Sequence, residues 1–254
     1  MSTLMFSEDI MPINTIVAVT SGKGGTGKST FSVNLAFATA SEQRPVLLID
    51  MDVGMRCLDM LLGVSGSVVL DVSDVLGGRE TELAKIAVPT RQGLFLLAAP
   101  SASETINAEA FGKFIEAAAE NYFVIIDFPA GSNFDLYAAL PKTTEFVCVC
   151  NPDPVSVRDA AVCGRELRRI NRNARLVINK YSYQYIKNQS FKNLDDIINE
   201  TGLNLLGIVP FSAELNFAFV TGKFPKRGRE AKAFSRIADR LCGKRSPLPK
   251  LKKI

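Results

Sequence analysis

Ser21-Gly22-Lys23-Gly24-Gly25-Thr26-Gly27-Lys28-Ser29-Thr30 puts four glycines, two lysines and four hydroxyls into ten consecutive positions. A run of this kind is suited to holding phosphate. Glycines carry no Cβ, so the backbone can curl until its N–H groups point at phosphate oxygens. Lys28 is placed to reach the β and γ phosphates of a nucleotide, and Ser29 to put a hydroxyl on Mg²⁺, whose remaining ligands are phosphate oxygens and water. Lys23, five positions earlier, would duplicate Lys28 if it acted in cis. A group across an interface could use it better. The plain alternative is a glycine-rich turn with two surface lysines, and what flanks the run argues against that.

The run follows an apolar stretch, Ile16 to Thr20, which reads as a buried strand, and precedes Phe31 to Ala40, whose apolar spacing suits a helix with its N-terminus at the phosphate. Two further apolar runs end in acids. Tyr122 to Ile126 ends in Asp127, which can hold a Mg²⁺-bound water, and Val46 to Ile49 ends in Asp50-Met51-Asp52. An isolated Asp-x-Asp more often marks a turn or a helix N-cap. After a strand that follows a phosphate loop it reads instead as a pair of acids near the γ phosphate. Strands are expected near 16–20, 46–50, 94–98, 123–127, 145–150, 175–180 and 205–209, with helical segments between most of them. That alternation predicts an α/β fold with a mainly parallel, twisted sheet covered on both faces. Ligands should bind at the carboxyl ends of the strands, where Asp50, Asp52, Asp127 and the glycine loop all fall.

Gly-Lys-Gly-Gly-Thr-Gly-Lys-Ser, from Gly22 to Ser29, resembles the deviant Walker A loop of the MinD/ParA superfamily of P-loop NTPases. The match narrows to the MinD branch at Asp52-Val53-Gly54-Met55-Arg56-Cys57-Leu58-Asp59, Gly63 and Val69 to Val75, and again at Asn151-Pro152-Asp153 with Ser156-Val157-Arg158-Asp159. Together these segments cover most of residues 15–160. The resemblance implies a three-layer sandwich and an ATPase that binds ATP or ADP with Mg²⁺. It implies Gly22, Gly24, Gly25, Thr26, Gly27, Lys28, Ser29 and Thr30 as the nucleotide cradle. Ser29, Asp50 and Asp127 would serve the metal, with Asp50 also contacting the switch region, and Asp52 would orient the attacking water. Lys23 would reach the nucleotide of the facing subunit in an ATP-dependent homodimer. The partners implied are a septum inhibitor or a topological regulator, in division-site selection. For Arg56 and Asp59 the plain alternative is an exposed helix pair three apart, worth a few tenths of a kcal/mol.

Leu176 to Lys180 is a strand ending in Asn179, where relatives place a base-contacting residue; its amide could meet adenine or simply turn the strand into a loop. Pro210 belongs to the same nucleotide rim, but Pro210-Phe211-Ser212-Ala213-Glu214 departs from the Pro-Glu-Asp usual in the branch.

With 254 residues and 47% hydrophobic content the chain can bury a full core, and no long linker divides it. The division expected is an N-terminal extension (1–14), one ATPase domain (15–242) and a basic tail (243–254). No apolar stretch approaches the eighteen or so residues of a membrane span, and no secretion signal is visible in Met1 to Asn14, so a soluble, cytoplasmic protein is expected. Cys57, Cys148, Cys150, Cys163 and Cys242 form no Cys-x-x-Cys pair and read as structural, which weighs against cluster-bearing relatives of the same loop. The chain has no histidine, which excludes imidazole chemistry.

The formal net charge is +4, and Lys244, Arg245, Lys250, Lys252 and Lys253 supply five positive charges in an acid-free tail. Leu248, Leu251 and Ile254 are interleaved with them. This tail is either a weak contact for an anionic membrane or a solvated end, since Pro247 and Pro249 disfavour a helix at its start. Ala231, Phe234, Ile237, Ala238 and Leu241 predict a helix docked on the core. Arg165, Arg168, Arg169 and Arg172 read as one face of a helix, solvated or able to meet an acidic partner or, less favoured, DNA phosphates. Three rival functions stay open: a ParA-type DNA-partitioning ATPase, a flagellar-number regulator, and a nucleotide-locked scaffold, organising a pilus or chemoreceptor site, with little turnover.

Overall fold

The structure is a computed structural model that describes residues 14–53, 55–80, 82–91, 93–100, 105–131, 133–184, 191, 193–215, 217 and 225–251. Among these, eight strands form one sheet: β1 (Ile16–Thr20), β2 (Val46–Asp50), β3 (Val88–Arg91), β4 (Leu94–Leu97), β5 (Phe123–Asp127), β6 (Glu145–Cys150), β7 (Ala174–Tyr181) and β8 (Asn204–Pro210). Their order is β3-β4-β2-β5-β1-β6-β7-β8. Every neighbouring pair is parallel except β3 with β4.

The helices are α1 (Lys28–Thr39), α2 (Leu58–Leu62), α3 (Val72–Leu76), α4 (Leu83–Ile86), α5 (Ala108–Ala119), α6 (Phe134–Ala139), α7 (Pro154–Arg169), α8 (Leu194–Thr201) and α9 (Gly228–Leu241). Strand alternation sorts them into two layers. Ile16 and Ala18 of β1 join a core with α3, α5, α6, α7 and α8. Val17 and Val19 join the opposite core with α1, α2 and α9. The expected sandwich, covered on both faces, is therefore present.

Four local features differ from the sequence reading or sharpen it. Strand β3 was not anticipated. It is a four-residue edge strand that carries Pro89 and a register slip, so it lacks both a donor and a clean alternation. The arginine face is shorter than expected, because α7 ends at Arg169 and Asn171 turns left-handed at φ 56°. That turn swings Arg172 inward, where its guanidinium donates to the carbonyls of Ala138, Leu140 and Pro141 at the end of α6. Arg172 is thus a buried cap rather than a DNA-facing residue, while Arg165, Arg168 and Arg169 remain exposed. Arg56 and Asp59 are not an exposed helix pair: Arg56 precedes α2 with φ 27°, and its Nη2 lies 3.6 Å from a largely buried Asp59 carboxylate.

The docked helix is α9, which buries Phe234, Ile237, Ala238 and Leu241. Residues 244–250 form neither helix nor strand, yet Arg240 Nε donates to the Ser246 carbonyl at 2.8 Å, and Leu251 packs against the core. This part of the tail lies on the domain surface instead of running free. Lys252, Lys253 and Ile254 lie outside the described residues, as do Gly54 and residues 1–13.

Candidate functional site: a nucleotide pocket at the strand ends

Parallel register assembles the site. Asp127, at the end of β5, is the partner of Val19 on β1 and of Asp50 on β2, so the two carboxylates sit on adjacent strands beside the exit into the glycine loop. Both acids are buried, Asp50 and Asp127 at 1% exposure each. Asp50 accepts from the backbone N–H of Asp52 at 2.9 Å and of Leu58 at 3.2 Å, which ties the start of α2 to the strand end. Asp127 accepts from Ser32 Oγ at 2.8 Å and also from Ser29.

These acids are short of positive charge. Burial raises the Asp50 carboxyl to about 6, against the pull of the two N–H donors, and the neighbouring Asp52 and Asp59 charges push it the same way as burial. Burial raises Asp127 to about 7; the nearby Asp50 adds to this, while Ser29, Ser32 and the Lys28 ammonium oppose it. A pair of desolvated carboxylates with a serine hydroxyl alongside is an all-oxygen donor set, the type that a hard divalent cation such as Mg²⁺ prefers. Ser29, Asp50 and Asp127 fit the metal expected for them.

The loop itself is built against α7 and β7. A Cβ on Gly22 would fall 2.3 Å from the Asp159 carbonyl oxygen, so glycine there lets the loop pack on the backbone of α7. Gly27 has φ 88°, and a Cβ would meet Asn179 Nδ2 at 2.4 Å. Asn179 Nδ2 donates to the Thr26 carbonyl at 2.8 Å, and Lys180 Nζ to the Gly25 carbonyl at 3.1 Å. The Thr26 hydroxyl is buried with no hydrogen-bond partner among the described residues, leaving a polar group in the loop open to a ligand. Lys28 is buried at the start of α1.

Gly25, Gly27 and Thr30 line a cleft of about 400 Å³ together with Asn179, Pro210 and Phe211. Asp52 is half-buried just past Asp50. Lys23 is partly exposed and lies 4.0 Å from Asp153, which also caps α7 by accepting from Ser156 N–H at 2.9 Å. Every site residue expected from the sequence therefore belongs to this one corner of the sheet. Two others were not anticipated. Ser32 lies one helical turn beyond Ser29 and faces the same acid, a spacing that could have revealed it. Lys180 acts through its Nζ on a loop carbonyl, and nothing in its local sequence signals that. The five cysteines are free thiols, with Cys148, Cys150 and Cys163 buried.

Fold and site together define a phosphate-loop nucleotide-binding protein: residues 17–225 match the CobQ/CobB/MinD/ParA nucleotide binding domain, and the chain belongs to that family. Within it, the chain is 32% identical over 246 residues to the septum site-determining protein MinD of Synechocystis, covering 92% of each chain. It is 30% identical over 243 residues to that of Bacillus subtilis, with 91% of this chain and 90% of the relative covered. These identities place it in the MinD branch. The MinD chain of the Aquifex aeolicus MinC:MinD cell division complex superposes with a TM-score of 0.81 at 30% identity, covering 93% of this chain and 99% of that one. The Mg-ADP complex of MinD from Pyrococcus horikoshii, at 24% identity and a TM-score of 0.76 over 89% and 95% of the two chains, shares the fold.

Proposed function

We propose that this chain is a Mg²⁺-dependent ATPase of division-site selection that cycles between a monomer, nucleotide-free or with ADP, and an ATP-bound homodimer. One observation carries the reading: register and loop packing bring Lys28, Ser29, Asp50 and Asp127 together at the carboxyl ends of β1, β2 and β5. Lys28 and the loop N–H groups bind the phosphates, and Lys28 stabilises charge that develops as the γ phosphoryl group transfers. Ser29, Asp127 and Asp50 would hold Mg²⁺, which would supply neutralising charge to the phosphates when bound. Asp52 orients the attacking water. Lys23, partly exposed beside Asp153, turns to the facing subunit's nucleotide in the dimer.

The Aquifex relative is assembled with MinC, and a septum inhibitor or topological regulator is the partner we carry over. The protein acts in the cytoplasm and at the inner face of the membrane, where the basic tail with exposed Leu248 makes a weak anionic contact. DNA is the less favoured partner, since Arg172 is withdrawn from the arginine face.

Phosphate release from ATP with and without Mg²⁺, measured alongside light scattering, tests the reading. Wild type should release phosphate only with Mg²⁺, whereas Asp52→Ala should stop turnover and accumulate an ATP-bound dimer. Turnover retained in that variant would remove Asp52 from its role. A wild-type chain that binds no nucleotide would overturn the function itself.

A further inference from the structure

Phe211 is an aromatic ring left 53% exposed on the rim of the nucleotide cleft, directly after the buried end of β8. Its backbone is pinned from two sides. The Phe211 N–H donates to the Tyr181 carbonyl at 2.7 Å, and its own carbonyl accepts from Arg229 Nη2 at 3.1 Å. The next residue, Ser212, is buried and hydrogen-bonds Glu230, which Arg229 Nε also contacts at 2.9 Å. Two strand ends and the first turn of α9 thus hold in place a large apolar side chain that the fold does not bury. An exposed aromatic on a fixed backbone pays little ordering entropy when a ligand covers it.

The ring's neighbours say what that ligand is. Gly27 and Thr30, at the start of the helix that the proposed function aims at the phosphates, line the same cleft, so the far end of a nucleotide held there would extend towards Phe211. Asn179, in the same lining, turns its amide nitrogen onto the Thr26 carbonyl and towards Gly27. Pro210, Phe211 and Leu215 supply the apolar part of the same lining. From these observations, and resting on the nucleotide-binding function proposed above, we infer that Phe211 is the stacking platform for the base and sets a preference for purine over pyrimidine nucleotides.

A ring face grips any base through π overlap, and the two-ring purine offers more of it. Removing the ring should therefore cost affinity for the base end and nothing at the phosphate end. Isothermal titration with Mg-ATP, Mg-ADP, Mg-UTP and base-free tripolyphosphate separates the two. Phe211→Ala should bind ATP and ADP about tenfold more weakly and narrow the gap between ATP and UTP. Tripolyphosphate should bind as to wild type, and Phe211→Trp should restore ATP affinity. Phe211→Ala with wild-type ATP affinity would overturn the inference, including the case in which only dimerisation is lost. A parallel loss of ATP and tripolyphosphate, or Phe211→Trp binding no better than alanine, would also overturn it by making the role structural. Wild type failing to bind ATP and tripolyphosphate alike would instead reject the nucleotide-binding function on which the inference stands.

Discussion

Asp127 carries the largest electrostatic cost in the site, because burial and the nearby Asp50 raise its carboxyl to about 7 from an ordinary value of 3.8. A carboxyl whose folded pKa is raised favours folding below its unfolded pKa and loses that contribution as pH climbs through the folded value. The ligand-free protein should therefore lose stability between about pH 4 and pH 7. Asp127→Asn keeps the shape without the charge, so above pH 7 it should melt higher than wild type, by a difference on the order of a few kcal/mol. Thermal midpoints for both proteins across that range check this, and parallel curves would contradict it. The variant should also lose the stabilisation that Mg²⁺ with nucleotide gives wild type. The acids were legible in the sequence because each ends an apolar run. That Asp50 and Asp127 share one site came from the resemblance and not from periodicity, since it depends on β2 and β5 being adjacent, and strand order is invisible to periodicity.

Elements show the same division between local and non-local information. The seven strands with long apolar runs were readable because burial on both faces demands such runs. Strand β3 was not, because an edge strand of four residues with a proline obeys no such demand. Arg172 fits a helical spacing with Arg165, Arg168 and Arg169, but Asn171 ends the helical path, and asparagine past a helix end is the signal that could have been read. Its consequence is measurable. Arg172 satisfies the carbonyls that end α6 and lies with its guanidinium carbon 5.9 Å from the centre of the Phe146 ring. Arg172→Ala leaves those buried carbonyls without a donor and should cost about 3 kcal/mol in urea unfolding, whereas exposed Arg165→Ala should change stability by less than about 0.5 kcal/mol. Equal, small effects would mean that water replaces the guanidinium.

At the scale of the whole molecule the proposed cycle divides the work between the two lysines of the glycine loop. Lys28 is buried at the base of α1, where the proposed function commits it to the phosphates of its own subunit, while Lys23 is partly exposed and, among the described residues, is paired with a partly exposed Asp153 at 4.0 Å. Such a pair is worth under about 1 kcal/mol, so releasing Lys23 towards a facing subunit is cheap beside what a desolvated ammonium gains at a triphosphate. The fold thus keeps the second lysine available without stabilising it in place, which is what a switch between monomer and dimer requires. Lys28→Ala should abolish measurable ATP binding in calorimetry. Lys23→Ala should keep ATP affinity within a few-fold of wild type, yet remain monomeric with ATP in light scattering. Asp153→Asn frees Lys23 without removing it and should dimerise at equal or lower ATP concentrations than wild type. If Lys23→Ala dimerised normally, the lysine would belong to the cis pocket, and the interface would have to be held by other residues at this end of the sheet.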